Sequence, residues 1–421
     1  MAQTTTSATP TPTAPPTAAT RTVRASAYVW VVLFASSLVQ TTASFGNQAI
    51  SPLAPFLLPD LGLNKSQLGL VLTAFYVGGI AIMTAAGWAS DRLGVRRMFL
   101  VGLLGCGAPL LLASQAPGLA VLMVAMLLAG LGNGVALPST TRAIVDWFPA
   151  RHRGLAMGIK QTGVALAGAI MSLVVPPLAG LLGWRGALAS IGWFTIGAGL
   201  LAWLLYREQG EAHAGRGRGS MPAEGFRSLL RNRNLMLLSS TSLCLAAVQL
   251  SLVGFMVLFL KERLGYDATV AGRMLAITQV GGVVGRIGWG LVSDAFFGGR
   301  RKGEMVIITA GSAFSAFGLS LVGGGTPLWL LWALLLVIGL SAVGWNGISM
   351  TFVAELAGRR ASATAAGLNL SFSYVGIIFG PPVFGLLVDA SGSYAPAFVA
   401  AGCIGLVALG LVSQIRLQEV E

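Results

Sequence analysis

Long apolar runs dominate the chain, and short polar links separate them. A helix needs about 20 mostly apolar residues to cross the hydrocarbon layer of a bilayer. Runs of that kind fall at 26–48, 66–90, 97–115, 117–141, 154–182 and 186–206, then at 235–260, 268–292, 304–323, 326–354, 361–388 and 394–415. The pattern predicts an all-α, polytopic membrane protein with twelve transmembrane helices in two six-helix, pseudo-symmetric bundles. The bundles are expected over 26–206 and 235–416, joined by a polar linker at 207–234. Residues 1–25, rich in Thr, Ala and Pro and without the apolar core of a signal peptide, are expected to form a disordered tail. Residues 417–421 are expected to form a second. Within the linker, Phe226, Leu229 and Leu230 alternate with Arg227, Arg231 and Arg233, a pattern suited to a short helix on the membrane surface or to a solvated linker.

Composition supports a chain that does not face water all round. Hydrophobic residues make up 55% and charged ones 10%, against about 25% charged in soluble proteins. The 57 glycines suit close helix packing in lipid. Cys106, Cys244 and Cys403 stand alone in apolar runs, and His152 and His213 lie in charged loops, so neither a metal site nor a nucleophilic triad has a sequence signature. The chain reads as neither an enzyme nor a cofactor binder.

The net charge of +13 has a topological explanation. One set of loops receives Arg21, Arg24, Arg92, Arg96, Arg97, Arg151, Arg153, Arg207, Arg216, Arg218, Arg227, Arg231, Arg233, Arg300, Arg301, Lys302, Arg359, Arg360 and Arg416, and the other only Lys65, Arg185, Lys261 and Arg263. The positive-inside rule then puts both termini in the cytoplasm of a cell (inner) membrane. No nucleic acid is needed to account for the charge.

The two halves repeat. Gly87-Trp-Ala-Ser-Asp91-Arg92-Leu-Gly94-Val-Arg96-Arg97 follows the second run, and Gly290-Leu-Val-Ser-Asp294 follows the eighth, ahead of Arg300, Arg301 and Lys302. Pro176-Pro177-Leu-Ala-Gly180 in the fifth run recurs as Pro381-Pro382-Val-Phe-Gly385 in the eleventh. Repetition at half the chain is a transporter signature. Gly87 and Gly290 are expected to let helices approach closely. Asp91 and Asp294 sit at a membrane rim, where a carboxylate caps a helix or pairs with arginine. Arg142 and Asp146, four apart, face each other on one helix.

At these residues the chain resembles the major facilitator superfamily, from about Ser26 to Arg416. The first element is similar to that family's G-x-x-x-D-R-x-G-R-R motif. The resemblance implies a gate in which Asp91, with Arg142 and Asp146 as partners, and Asp294 in the second half, help close the inner side in one conformation. The copy at Asp294 carries extra residues before its basic cluster. The chain also departs from the family's drug exporters, with Met126 where an arginine precedes Gly130 and Val175-Pro176 in place of Gly-Pro.

Ionisable groups inside spans are functional candidates because burial is costly. No acid falls near the middle of a span, whereas Lys160 and Arg286 do lie inside, with Arg273 near a span end. The interior is thus biased toward binding an anion. Arg286 lies eight residues before Asp294, roughly 12 Å deeper along the helix. Its segment Gly285-Arg286-Ile-Gly-Trp-Gly290 is similar to the monocarboxylate and oxalate–formate branches, which implies a carboxylate contact. Lys160 is expected either to meet substrate or to snorkel to the cytoplasm. Asn47, Gln161, Asn346 and Tyr374 are the further substrate candidates, with Gln40, Gln48, Gln279 and Asn369 as other polar positions for a midplane cavity.

The expected function is secondary transport of a small organic anion by alternating access, as proton symport or anion exchange. Its partners are a small-molecule solute, the lipid bilayer and a proton or counter-anion, and the protein is expected to be a monomer. Efflux of an amphipathic drug or metabolite is the alternative, and a non-transporting sensor on the same fold is a third reading.

Overall fold

The computed structural model describes residues 18–208, 229–296 and 301–416, without the side chains of residues 18–27, 84, 91, 150, 151, 294–296, 359, 360 and 363. The expectations for residues 1–17 and 417–421, for most of the linker and for the carboxylates of Asp91 and Asp294 lie outside that description. The helices are α1 (Ala18–Ala43), α2 (Phe45–Leu61), α3 (Lys65–Leu93), α4 (Val95–Ser114), α5 (Leu119–Trp147) and α6 (Ala150–Leu205), then α7 (Arg233–Leu264), α8 (Ala268–Phe296), α9 (Arg301–Leu321), α10 (Leu328–Ile338), α11 (Asn346–Ser391) and α12 (Ala395–Ser413). Eleven helical runs are long and apolar enough to span a membrane. The run His152–Leu205 is two crossings, because Gly183, at φ 70°, breaks α6 into two limbs. Gly358, at φ 71°, breaks α11 in the same way. Both positions need the left-handed backbone that glycine adopts without a Cβ clash. The result is twelve crossings in two six-helix bundles, with both ends of the described chain on one face, here the terminal face; the opposite one is the distal face.

The first crossing differs from its predicted extent. The helix begins at Ala18, inside the stretch expected as a tail, and after a break at Ser44 continues as α2 to Leu61. Pro52, Pro55 and Pro59 lie inside α2, and such prolines end helices in water. Within a bundle, neighbouring helices and side chains satisfy the freed backbone groups. The tenth crossing, predicted as one run, is interrupted by a π-helical turn at Gly339–Val343.

The halves meet through α3 with α11, α6 with α8, and α2 with α7. Two of these contacts are the same contact related by the internal repeat. A Cβ on Gly69 of α3 would lie 2.5 Å from the Pro381 carbonyl oxygen and 2.6 Å from Pro382 Cα, in α11. A Cβ on Gly272 of α8 would strike the Ser172 carbonyl and come 2.7 Å from Pro176 Cγ, in α6. Each half thus presses its proline-bearing segment, Ser172 to Pro176 in α6 and Pro381-Pro382 in α11, onto a bare glycine of the other. Polar bonds add to the closure at the distal ends. Asp389 accepts from the backbone N–H groups of Lys65 (3.1 Å) and Ser66 (2.7 Å), at the positive end of α3. Glu262 pairs with Lys65 at 3.2 Å and accepts from the Tyr394 hydroxyl at 2.8 Å.

At the terminal face the same four helices carry glycines with no atom opposite. A Cβ on Gly87, Gly154, Gly158, Gly288, Gly290 or Gly367 would meet nothing within 4 Å. The close approach expected at Gly87 and Gly290 is therefore not made in this conformation. The distal face is closed and the terminal face open.

Filling the closed contact should shift this balance. Gly69→Ala or Gly272→Ala puts a methyl group against backbone that cannot yield, at a cost to the distal-closed state of about 1–3 kcal/mol. Spin labels at the distal ends of α3 and α11 should then move apart, while Gly158→Ala leaves them unchanged. Unchanged distances in the Gly69 and Gly272 variants would contradict the assignment.

Candidate functional site

The site is built where α8 passes the π turn. Gly281, Gly282 and Gly285 line one face of α8, and a Cβ on Gly285 would lie 2.7 Å from the Leu340 carbonyl oxygen. Only bare backbone lets the two segments approach so closely. A π turn leaves carbonyls outside the α-helical ladder and recurs at functional sites. Two side chains of α8 take such carbonyls: Trp289 Nε1 donates to Leu340 (2.8 Å) and Arg286 Nε to Val343 (3.4 Å).

Arg286 also reaches across to the other half, where its Nη1 donates to the Gln161 carbonyl at 2.8 Å. Both partners are neutral backbone oxygens, and among the described residues no carboxylate pairs with this guanidinium. Tyr76 of α3 lies within electrostatic reach of Arg286. Its hydroxyl accepts from Asn47 Nδ2 at 2.9 Å, and its ring sits 6.4 Å from that of Tyr374, centre to centre. With its acceptor side engaged by Asn47, the Tyr76 O–H is left to donate. Two turns along α8, Gln279 Nε2 approaches Gln48 Oε1 at 3.4 Å, again across the halves. The structure therefore brings Arg286 near Tyr76, Asn47, Tyr374 and the Gln161 main chain, with Gln48 and Gln279 meeting two turns along α8. Tyr76 was missed in the sequence, where its position in an apolar run gave no sign that it would pair with Asn47.

The other candidates stand apart from this cluster. Asn346 and Trp345 both donate to Gln249 Oε1, at 3.3 and 2.8 Å. The Gln161 side chain is exposed, and Arg273 is exposed as well. Asn369 is buried, with neither side-chain atom hydrogen-bonded. Gln40 is buried and accepts from Thr140 at 3.3 Å. Lys160 does not snorkel. It is 3% exposed, and its Nζ lies 3.3 Å from Thr140 Oγ1 and 2.9 Å from Thr141 Oγ1.

The motif residues form contacts inside the first half. Arg142 donates to the carbonyl of Ser90, the residue before Asp91, at 2.6 Å, and pairs with Asp146 at 3.3 Å. Arg92 stacks on Trp88 and Arg97 is exposed. Gly94, at φ 84°, turns the chain between α3 and α4. Glu208 caps α4 by accepting from Arg96 N–H at 2.7 Å, while Arg96 Nε donates to the Trp203 carbonyl, also at 2.7 Å. Among the described residues none of these bonds reaches the second half. The resemblance implies closure between the halves in one conformation only, and the Asp91 and Asp294 carboxylates it involves lie outside the described side chains. Glu208 went unnoticed in the sequence because it lies more than a hundred residues from the turn it caps.

Residues 36–381 match the model of the Major Facilitator Superfamily, and the chain belongs to that family. It is a multi-pass membrane protein and not an enzyme. It is 28% identical over 375 residues to the Probable sulfoacetate transporter SauU of Cupriavidus necator, covering 84% of this chain and 86% of that one. It is 25% identical over 365 residues to the Probable hexose phosphate transport protein of Chlamydia pneumoniae, with 80% of each covered. A bacterial homolog of the human lysosomal transporter Spinster, in an inward-facing and occupied conformation, shares the fold with a TM-score of 0.77, 18% identity, and 93% and 99% coverage.

Replacing the Glu208 carboxylate tests the cap. Glu208→Gln should lower unfolding stability in detergent by about 1 kcal/mol, the usual worth of a capping carboxylate. An unchanged melting curve would show that the α3–α4 turn holds without it.

Proposed function

We propose that this protein is a secondary transporter for a small organic anion, a carboxylate or a sulfonate. It works by alternating access, with the bundles 26–206 and 235–416 moving as units, as proton symport or anion exchange. One observation carries the reading: Arg286 sits between the halves and, among the described residues, its charge is met only by backbone carbonyls. An ionised oxyanion is a better partner than either carbonyl, through two parallel charge-assisted hydrogen bonds. Tyr76 lies within electrostatic reach of the guanidinium, the Tyr374 ring stands 6.4 Å from that of Tyr76, and both add hydroxyl donors. The similarity to proteins named for sulfoacetate and hexose phosphate, both strongly anionic solutes, supports the same class. The basic terminal face supports a cytoplasmic location for both termini, in the cell membrane. The open terminal face then makes this the inward-open state, and the Asp91 motif, with Arg142 and Asp146, and the Asp294 copy belong to a gate that closes in the opposite state.

The amphipath-efflux reading has one feature in its favour, an apolar cavity of about 320 Å³ between α7, α11 and α12. Its lining, including Leu243, Val375, Phe379 and Val383, suits an acyl chain and offers no cation.

Uptake of labelled sulfoacetate, glucose 6-phosphate and oxalate into proteoliposomes tests the anion reading. Arg286→Ala should lower transport of the accepted anion about thirtyfold or more, the cost of removing one partner of a buried charge contact. Arg286→Lys should restore only a part, since lysine lacks the two-pronged geometry. Tyr76→Phe should raise half-saturation about tenfold. Normal uptake by Arg286→Ala, or protein-dependent uptake of neutral amphipaths alone, would contradict the reading.

A further inference from the structure

Lys160 is the second cation of the membrane interior, and its surroundings differ from those of Arg286. It projects from the first limb of α6 into the first bundle, 3% exposed, with its ammonium on the hydroxyls of Thr140 and Thr141 in α5. Thr140 passes the network on to Gln40 of α1. Among the described residues no carboxylate pairs with it. The described charged and titratable side chains on the elements around it are engaged elsewhere or remote. On α5, Arg142 holds the Ser90 carbonyl and Asp146. On α8, Arg286 holds the Gln161 and Val343 carbonyls. On α4, the Cys106 thiol lies against the carbonyls of Ala43 and Ala129, and Arg96 against Trp203. On α1, the Tyr28 hydroxyl donates to the Leu205 carbonyl. On α2, Asp60 pairs with Arg185 at the far end. On α6 itself, Arg153 binds the carbonyls of Phe148 and Val145, and His152 is exposed two turns away.

Two features of this setting indicate a role. A substrate anion cannot reach an ammonium that is 3% exposed while one face of the protein is open, so direct substrate contact is disfavoured. The partners are hydroxyls that also donate to the Leu137 carbonyl, at 2.9 and 3.0 Å, and so accept from the ammonium here; on rotation either can donate to a neutral amine. A carboxylate partner would pin the charged form; threonines accommodate both forms. Thr141 is half-buried and links the amine to the edge of the bundle. No carboxylate occupies the middle of a span to compete for this task. The buried Glu304 lies in the first turn of α9, which packs chiefly on α12.

We propose that Lys160 is the proton-coupling site of the transporter, separate from the anion site at Arg286. Nζ takes up one proton when the anion binds and returns it to water on the other side, so only an N–H bond forms and breaks. The proposal rests on the anion-transport reading and names its coupling ion as the proton.

The test compares wild type with Lys160→Met and Lys160→Arg, using sulfoacetate in proteoliposomes with the membrane potential clamped. One proton per anion sustains about tenfold accumulation for each unit of pH gradient. Wild type should show it, whereas both variants should lose it and yet keep sulfoacetate exchange without a gradient, with half-saturation unchanged. Retained accumulation, or exchange lost along with it, would overturn the proposal, and a raised half-saturation would make Lys160 a substrate contact instead. A substrate-free measurement decides the matter even if sulfoacetate is not carried. Shifted from about pH 9 to about pH 6, purified wild type should take up about one proton more per molecule than Lys160→Met. Equal uptake would show that Lys160 keeps one protonation state between about pH 9 and about pH 6 and cannot couple transport over that range, whatever the fate of the anion reading.

Discussion

The structure depends on one repeated contact, a proline-bearing segment pressed onto a bare glycine of the opposite half. Pro176 meets Gly272, and Pro381 and Pro382 meet Gly69. In lipid the hydrophobic effect does not drive helices together, so close van der Waals packing and hydrogen bonds must. The two contacts hold the distal ends at backbone-to-backbone distance. Because the glycines near the terminal face have no atom opposite, closing one end leaves the other apart. The central path is what lies between the closed and the open end.

Within that path the energetic problem is charge. A guanidinium in a low-dielectric interior is costly unless paired. Here a π turn supplies Val343, and the opposite half supplies Gln161, as carbonyl partners. Carbonyls hold the side chain in place without cancelling its charge. Arg286 is thereby positioned while contacting both halves at once, and in the proposed function its charge is what attracts the anion. An anion that displaces the Gln161 carbonyl would also remove a bond between the halves, which ties occupancy to movement. Lys160 meets the same cost differently, with hydroxyls inside a single half.

Much of this was legible in the residues. Apolar run length located the crossings, and the repeat Gly87–Asp91 with Gly290–Asp294, and Pro176-Pro177 with Pro381-Pro382, announced two related halves. Arg286 stood out because a charge inside a span is costly to bury and marks a site by default. What stayed hidden depended on pairing across the fold. Tyr76 is ordinary in an apolar run until Asn47 is seen to bind it, and Glu208 gains meaning only beside Gly94. The extension of the first crossing through three prolines contradicts local propensity and is permitted by the bundle around it. Gly87 and Gly290 were expected to let helices approach closely, and a Cβ on either would meet nothing within 4 Å here.

The most direct measurement is the location of a bound anion. Crystals of the protein grown with an iodine-bearing aryl sulfonate or carboxylate give an anomalous signal that marks where the ligand sits. The account requires the anionic group within hydrogen-bonding distance of Arg286, between Tyr76 and Tyr374. A ligand found instead in the apolar cavity between α7, α11 and α12, with Arg286 still on its two carbonyls, would contradict it.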